Sequence, residues 1–253
     1  MISVIVCCRQ PESWDFHTRN VAKTIGCEYE YIRVDNTQNQ YGICAAYNEG
    51  VKRAKGDICV FVHEDCFFME VGWGNVLNAK FTEDTNLGLV GVAGTQYLFP
   101  DSPAWISAGM PFIRGRVIHE INNGKMFVLT VFSWDKRDAE VVAVDGLFFA
   151  IPTNLFDTIR FDENTFPGFH FYDLDICMQV RKTHKLMVTW DILLKHFSGG
   201  NMNQVWLEFG NKFLDKYKNQ LPAFCTNDTP DPAKYKGCQS FDLHGKAQMG
   251  IIV

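Results

Sequence analysis

His63, Glu64 and Asp65 follow without a break on the apolar run Ile58–Val62, inside the stretch GDICVFVHEDC that spans residues 56–66. An imidazole two positions from a carboxylate can hold a divalent cation. An acidic chain needs such a cation, or local donors, if it is to bind an anionic group such as a diphosphate. A carboxylate-only pair would favour Mg²⁺, whereas an imidazole moves the preference toward Mn²⁺ or another transition metal. Successive extended residues alternate faces, so Glu64 is expected to point away from its two neighbours. The plain alternative for all three is a solvated turn after a strand.

Four further places carry groups able to do chemistry. Asp173 and Asp175 open a predicted helix in GFHFYDLDICMQVR. The helix dipole alone would favour acids there. Residues two apart on a helix lie about 200° apart around its axis, so only one of this pair can face a crevice. Asp35 ends the apolar segment YEYIRVD, and Asp145 and Gly146 precede another, LFFAIP. His196 is followed by Phe-Ser-Gly-Gly, and the two glycines permit a phosphate to approach the backbone closely. Each has a structural alternative: a turn cap for Asp35, a bulge or kink for Gly146, a capping or surface group for His196.

The elements that must position these groups alternate over the first hundred residues. ISVIVCC is a short β-branched run with no polar face, as in a strand buried on both sides. A helix from Glu12 to Ile25, a strand at YEYIRVDN, a helix over ICAAYNEGVKRAKG and a strand at DICVFV complete a βαβαβ series. Parallel sheets of this kind bind ligands beyond the carboxyl ends of their strands, which is where His63, Asp65 and Asp35 fall. Asn48 and Gly50 read as packing residues of the second helix. A helix from Trp73 to Phe81 and a strand at LGLVGVAG follow. Residues 97–140 then break the rhythm with three prolines and two strands, RGRVIHEI and KMFVLTVF, joined by an Asn-Asn-Gly turn. This stretch reads as an insertion. Its aromatic residues, Trp105, Phe112 and Trp134, suit stacking against a sugar or, equally, a small core of their own. Core signals resume with EVVAVDGLFFAIP, a helix through YDLDICMQVRKTH, a strand at KLMVTW and a helix from Asn203 to Asn219. Residues 1–220 are therefore expected to form one unit, followed by a weakly patterned tail over 221–253.

Composition limits the partners. The net charge is −5 over 253 residues, which leaves no broad basic surface for nucleic acid. Nine cysteines are an odd number, contain no Cys-x-x-Cys, and include Cys7, Cys8, Cys59 and Cys177 inside apolar runs. Reduced, buried thiols in a cytoplasmic protein fit that pattern. No run approaches the length of a transmembrane segment and no leader is evident. Any association with a membrane would then be through a partner or a peripheral surface.

Taken in order, VDN, GICAAYNEGVKRAKGD, ICVFVHED, VDGLFFAIP, FYDLD and HFSGG resemble the motif series of the family 2 glycosyltransferases. The resemblance covers most of residues 1–200. It implies the GT-A fold, an α/β architecture with a Rossmann-like mixed sheet flanked by helices. It further implies inverting transfer from a nucleotide-diphosphate sugar to a saccharide or glycolipid acceptor, in polysaccharide or glycoconjugate synthesis. By this resemblance Asp173 is the general base and Asp175 a structural group. Asp35, with Arg9 and Glu64, falls on the donor side, while Asp145, Gly146 and Trp105 fall on the acceptor side. His63, Asp65 and His196 become ligands of a divalent cation, Mn²⁺ in preference to Mg²⁺. Two departures stand out. His63 stands where the family usually has the first aspartate of Asp-x-Asp, and Tyr172 where it often has a glutamate, so that the Tyr172 hydroxyl is expected to orient the base. The competing expectation is a catalytically weak module that binds a nucleotide-sugar or carbohydrate. A Rossmann dehydrogenase is disfavoured, since no G-x-G-x-x-G follows the first strand.

Overall fold

The computed structural model describes residues 1–121, 126–133, 135–197 and 202–231. The chain opens with β1 (Ile2–Cys8), α1 (Pro11–Thr24), β2 (Tyr29–Asp35), α2 (Ile43–Arg53) and β3 (Ile58–Val62). β1 pairs in parallel with both β2 and β3, so the alternating apolar runs do form the expected crossover unit. β1 and β3 are buried along their whole length. Their side chains alternate between two cores. Ile5 and Cys7 join a cluster with residues of α2, while Val4, Val6 and Cys8 join a cluster that includes Val21 of α1. Gly50 of α2 lies where a Cβ would come within 2.3 Å of Ile5 Cγ2, which explains why this helix can pack so close to the sheet. Asn48 exchanges two hydrogen bonds with the Phe161 backbone, and its role is likewise structural.

The chain continues through β4 (Cys66–Phe68), α3 (Trp73–Glu83), β5 (Leu87–Gly91), β6 (Ala93–Thr95), β7 (Tyr97–Leu98) and a 3₁₀ turn at Trp105–Ala108. Next come β8 (Ile113–Ile121), β9 (Met126–Val131), β10 (Ala139–Val141), β11 (Ala143–Val144) and β12 (Phe148–Pro152). After a 3₁₀ segment at Thr153–Asp157 follow α4 (Tyr172–Val180), β13 (Lys185–Val188), β14 (Leu194–His196), α5 (Gln204–Tyr217) and β15 (Ala223–Phe224). Seven strands form a mixed sheet in the order β10-β13-β5-β12-β3-β1-β2, with β12 antiparallel to both of its neighbours. Five more run in the order β11-β6-β8-β14-β4, with β9 paired to β8. β15 pairs with β7.

This second sheet is where the sequence expectation and the structure part. LGLVGVAG reads as one strand but is divided between β5 in the large sheet and β6 in the second. EVVAVDGLFFAIP likewise feeds β10, β11 and β12. The crossings at Val92 and Val142 stay buried and leave no polar mark, whereas the return from β11 to β12 runs through Asp145 and Gly146. β8 and β9 do pair as antiparallel strands, from Arg116 opposite Val131 to Ile121 opposite Met126. The Asn-Asn-Gly turn expected between them, Trp134, Gly199 and Gly200, and residues 232–253 lie outside the described residues. No helix among the described residues is long and apolar enough to cross a membrane. The eight described cysteines are all free.

Candidate functional site

The groups singled out after β3 lie where the two sheets meet. β3 ends at Val62, and the His63 amide donates to the Leu147 carbonyl (3.1 Å) just ahead of β12. The Cys66 amide then donates back to the His63 carbonyl (3.1 Å), a tight turn that hands the chain to β4 in the second sheet. His63 therefore closes a strand of one sheet and Asp65 precedes a strand of the other. β4 pairs with β14 so that His196 stands opposite Cys66, and the Phe197 amide donates to the Asp65 carbonyl (3.1 Å). One candidate ligand atom each from His63, Asp65 and His196 can be chosen so that all lie within 4.8 Å of one another.

These residues fit a divalent cation on chemical grounds. The His196 Nε2 is buried without a hydrogen-bond partner and stands 3.5 Å from Asp65 Oδ1, too far for a good hydrogen bond. A buried polar nitrogen left facing a carboxylate across such a gap is what a shared cation resolves. Burial lowers the pKa of His63, and the neighbouring His196 adds to this, keeping an imidazole lone pair available. Burial would raise the Asp65 carboxyl, but His196 and His63 outweigh it and hold the group below its ordinary value. For His196 the order is reversed: burial lowers the pKa, and contact with Asp65 overrides that and raises it.

Two cavities share this junction. The larger, about 500 Å³, is lined by Arg9, Thr37, Asn39 and Tyr47 from loops and helices at the carboxyl ends of β1 and β2. The smaller, about 280 Å³, is lined by Trp105, Phe132, Asp145, Gly146 and Asp173. His63, Asp65 and Phe169 belong to both. The Arg9 guanidinium lies over the Phe169 ring at 4.7 Å, and its Nε donates to Asn39 Oδ1 (3.0 Å).

Asp173 sits at the start of α4, on the floor of the smaller cavity. It can be reached through the cavity but is otherwise enclosed by protein. Burial first, and then the charge of Asp145, push its carboxyl up to about 7. The Gly146 amide donates to Asp173 Oδ2 (2.9 Å) and fixes the group. The start of α4 is itself held in place: Phe171, the residue before the helix, has φ 65°, the left-handed region that side chains rarely adopt. Its ring is clamped by Phe213 and Trp206 of α5, at 5.7 and 5.2 Å between centroids. Asp175 points the other way. It is buried, and Lys216 and Tyr217 of α5 donate to its Oδ1 while Gln179 donates to its Oδ2.

Tyr172 does not touch the Asp173 carboxylate through its hydroxyl. That hydroxyl donates to the Gly146 carbonyl (2.9 Å) and lies 2.6 Å from His63 Nε2. The two positions that depart from the family pattern are thus in contact with each other, and it is the Gly146 amide that holds the Asp173 carboxylate. A Cβ at Gly146 would fall 2.2 Å from the Tyr172 hydroxyl oxygen, so glycine is required there by the tyrosine.

The Glu64 carboxylate accepts from the Arg9 amide (3.0 Å) and the Gln10 amide (3.2 Å), so it caps the start of α1, and it borders the larger cavity. Asp35 accepts from the Thr37 amide (3.0 Å) and hydroxyl (2.8 Å) in a local turn at the end of β2. Asp145 accepts from the Leu147 amide (3.0 Å). Trp105 packs edge-on against Phe132, 5.4 Å between centroids. Two site residues escaped the sequence reading. His119 of β8 stands in register with His196, their rings 6.0 Å apart, and Phe169 lines both cavities. The aromatic run GFHF before α4 was the available signal for Phe169; His119 sits in an ordinary alternating strand and gave none.

A chain from Fuscovulum blasticum described as ATP synthase subunits region ORF 6 is 22% identical over 199 residues, 77% of this chain and 73% of that one. The crystal structure of GalNAc-T7 with UDP, GalNAc and Mn²⁺ superposes with a TM-score of 0.59 at 11% identity. The superposition covers 99% of this chain and 54% of that one, so this chain spans about half the length of its structural relative. A second structure, A197 from STIV, matches at a TM-score of 0.45. The family model described as glycosyltransferase like family matches residues 3–227. The chain has the GT-A fold and belongs to this glycosyltransferase-like family.

Proposed function

We propose that this protein is an inverting glycosyltransferase that moves a sugar from a nucleotide-diphosphate sugar to a hydroxyl of a saccharide or glycolipid acceptor. The observation that carries this reading is the shared wall: His63 and Asp65 face both cavities, whereas the enclosed carboxyl of Asp173 faces only the smaller. His63, Asp65 and His196 would hold a divalent cation, and two imidazoles favour Mn²⁺ over Mg²⁺. Such a cation supplies charge stabilisation for the departing diphosphate.

The larger cavity takes the donor nucleotide, with Arg9 offering the positive charge that an acidic protein otherwise lacks there. Asp35, at the neighbouring strand end, is assigned to the base or ribose. The acceptor enters the smaller cavity, where Trp105 and Asp145 border it. Its hydroxyl proton passes to Asp173, held by the Gly146 amide, and the oxygen bonds to the anomeric carbon. The bond from that carbon to the diphosphate oxygen breaks in the same displacement, which inverts the centre. A base with a pKa near the working pH is the effective kind, and an enclosed carboxyl pushed to about 7 meets that condition. We place the reaction in the cytoplasm, where the buried free thiols would stay reduced.

The test is a thermal-shift screen of nucleotide sugars with and without Mn²⁺, followed by assay of transfer and donor hydrolysis. A donor present at a hundredfold excess over its Kd stabilises the fold by about 2.7 kcal/mol. Cation-dependent stabilisation with turnover supports the reading. Binding without turnover supports a binding module instead, and no binding by any nucleotide sugar refutes the assignment.

A further inference from the structure

Beneath the candidate cation site, the contact among Tyr172, Gly146 and His63 has no part in the chemistry described above. Tyr172 is buried, its ring packed edge-on against Tyr47 at 5.6 Å and tilted against Phe149 at 6.3 Å. The hydroxyl is therefore held in one place and has a single proton to give. Two groups lie within hydrogen-bonding distance of it: the Gly146 carbonyl at 2.9 Å and the His63 Nε2 at 2.6 Å. A carbonyl oxygen can only accept, so the hydroxyl proton belongs to Gly146. The phenol oxygen is then an acceptor toward His63, and both contacts are satisfied only if His63 carries its proton on Nε2. The opposite assignment would direct the hydroxyl proton to His63 and leave the buried carbonyl without a donor, which is unfavourable for a buried polar group.

We infer that Tyr172 is a positioning residue for the cation site: through Gly146 it fixes His63 as the Nε2-protonated tautomer, so that Nδ1 is the nitrogen left to bind a divalent cation. The inference rests on His63 being a cation ligand. Metal-binding histidines characteristically donate their other N–H to an acceptor, which sets both tautomer and ring orientation. Here the usual carboxylate or carbonyl acceptor is replaced by a phenol whose own proton is already committed. The packing at Gly146 points the same way. Any side chain there would displace the hydroxyl, and the same residue's amide holds Asp173 (2.9 Å). One glycine thus ties a cation ligand and the base to a common backbone segment.

The experiment has two arms, both on the full chain. Nitrogen-15 NMR of histidine-labelled protein without metal, at mildly alkaline pH where imidazoles are neutral, reads the His63 tautomer, with a His63→Gln sample for assignment. The expected result is a protonated Nε2. Calorimetric titration with Mn²⁺ alone then compares wild type, Tyr172→Phe and Asp65→Ala. Phenylalanine keeps the ring and removes only the hydroxyl, and Mn²⁺ affinity is expected to fall about 10–100-fold. A protonated Nδ1 in the wild type overturns the inference, as does Tyr172→Phe binding Mn²⁺ like wild type while Asp65→Ala loses it. If Asp65→Ala also binds Mn²⁺ like wild type, the cation site itself is refuted and this inference falls with it. Should Tyr172→Phe fail to fold, the wild-type tautomer still decides.

Discussion

The two cavities that meet at His63 and Asp65 are built from different materials. The larger is open and bordered by Arg9, Thr37 and Asn39, on loops after the first two parallel strands. The smaller is lined by Trp105 and Phe132, with the carboxyls of Asp145 and Asp173. A polar, open cleft suits a charged ligand that arrives hydrated. A narrow aromatic one suits a ligand with apolar faces and a single group to be deprotonated. The same enclosure raises the Asp173 pKa, whereas Asp35, exposed near the open side, is lowered by its bonds to Thr37. Identical side chains are given different proton affinities by their surroundings, and the proposed division of chemistry and binding rests on that difference.

Removing the base tests the division most severely. Asp173→Asn should reduce kcat by about 10²–10⁴ while donor affinity, measured by calorimetry, holds. Stability should move in the opposite sense. The folded-state pKa of Asp173 is raised above its unfolded value, so the stability linked to its proton is present at low pH and lost as pH rises through about 7. Asparagine cannot ionise, and the variant should melt at least as high as wild type at alkaline pH. A lowered donor affinity would show that the two cavities are not separable.

Asp65→Ala should leave the fold intact and weaken Mn²⁺-dependent donor binding by more than the roughly 10–100-fold typical of losing an outer partner of a metal site. Equal donor affinity with and without this substitution would remove the cation from the boundary. Asp175→Asn sharpens the contrast with its neighbour. Three donors converge on that buried carboxylate, so denaturant unfolding should show a loss of about 1–3 kcal/mol, with little change in kcat while the protein is folded. The smallest effect is expected at Trp105→Ala, where loss of one stacking ring, about 0.5–1.5 kcal/mol, should raise acceptor KM and spare donor affinity. Loss of both affinities, or unfolding, would make Trp105 a core partner of Phe132 instead.

What the sequence disclosed follows the same boundary. β1 and β3 are long enough to show as continuous apolar runs, and the three polar residues that follow β3 mark the site by interrupting the second. Strand alternation was expected to turn Glu64 away from His63 and Asp65, but these residues form a turn and all three border the larger cavity; the Glu64 contact with the Arg9 amide spans 55 residues and left no local sign. β4, β6, β11 and β14 have two or three residues each, too few for any period to appear. The strand crossings near Val92 and Val142 are hidden because both residues remain buried. The Tyr172–His63 contact joins residues 109 apart, and nothing local to either predicts it. Asp35 illustrates the converse: its turn with Thr37 is the local capping role that an aspartate at a strand end commonly takes.

The most direct test is the pH dependence of kcat/KM for the acceptor, measured in wild type and Asp173→Asn with donor and Mn²⁺ saturating. A base acts only when ionised, so wild-type activity should rise with pH and level off, with a midpoint no higher than about 7, because a nearby cation draws it down. In Asp173→Asn the small residual activity should show no such rise. A wild-type profile that is flat across the acidic range, or the same rise persisting in the variant, would contradict the assignment of Asp173 as the base.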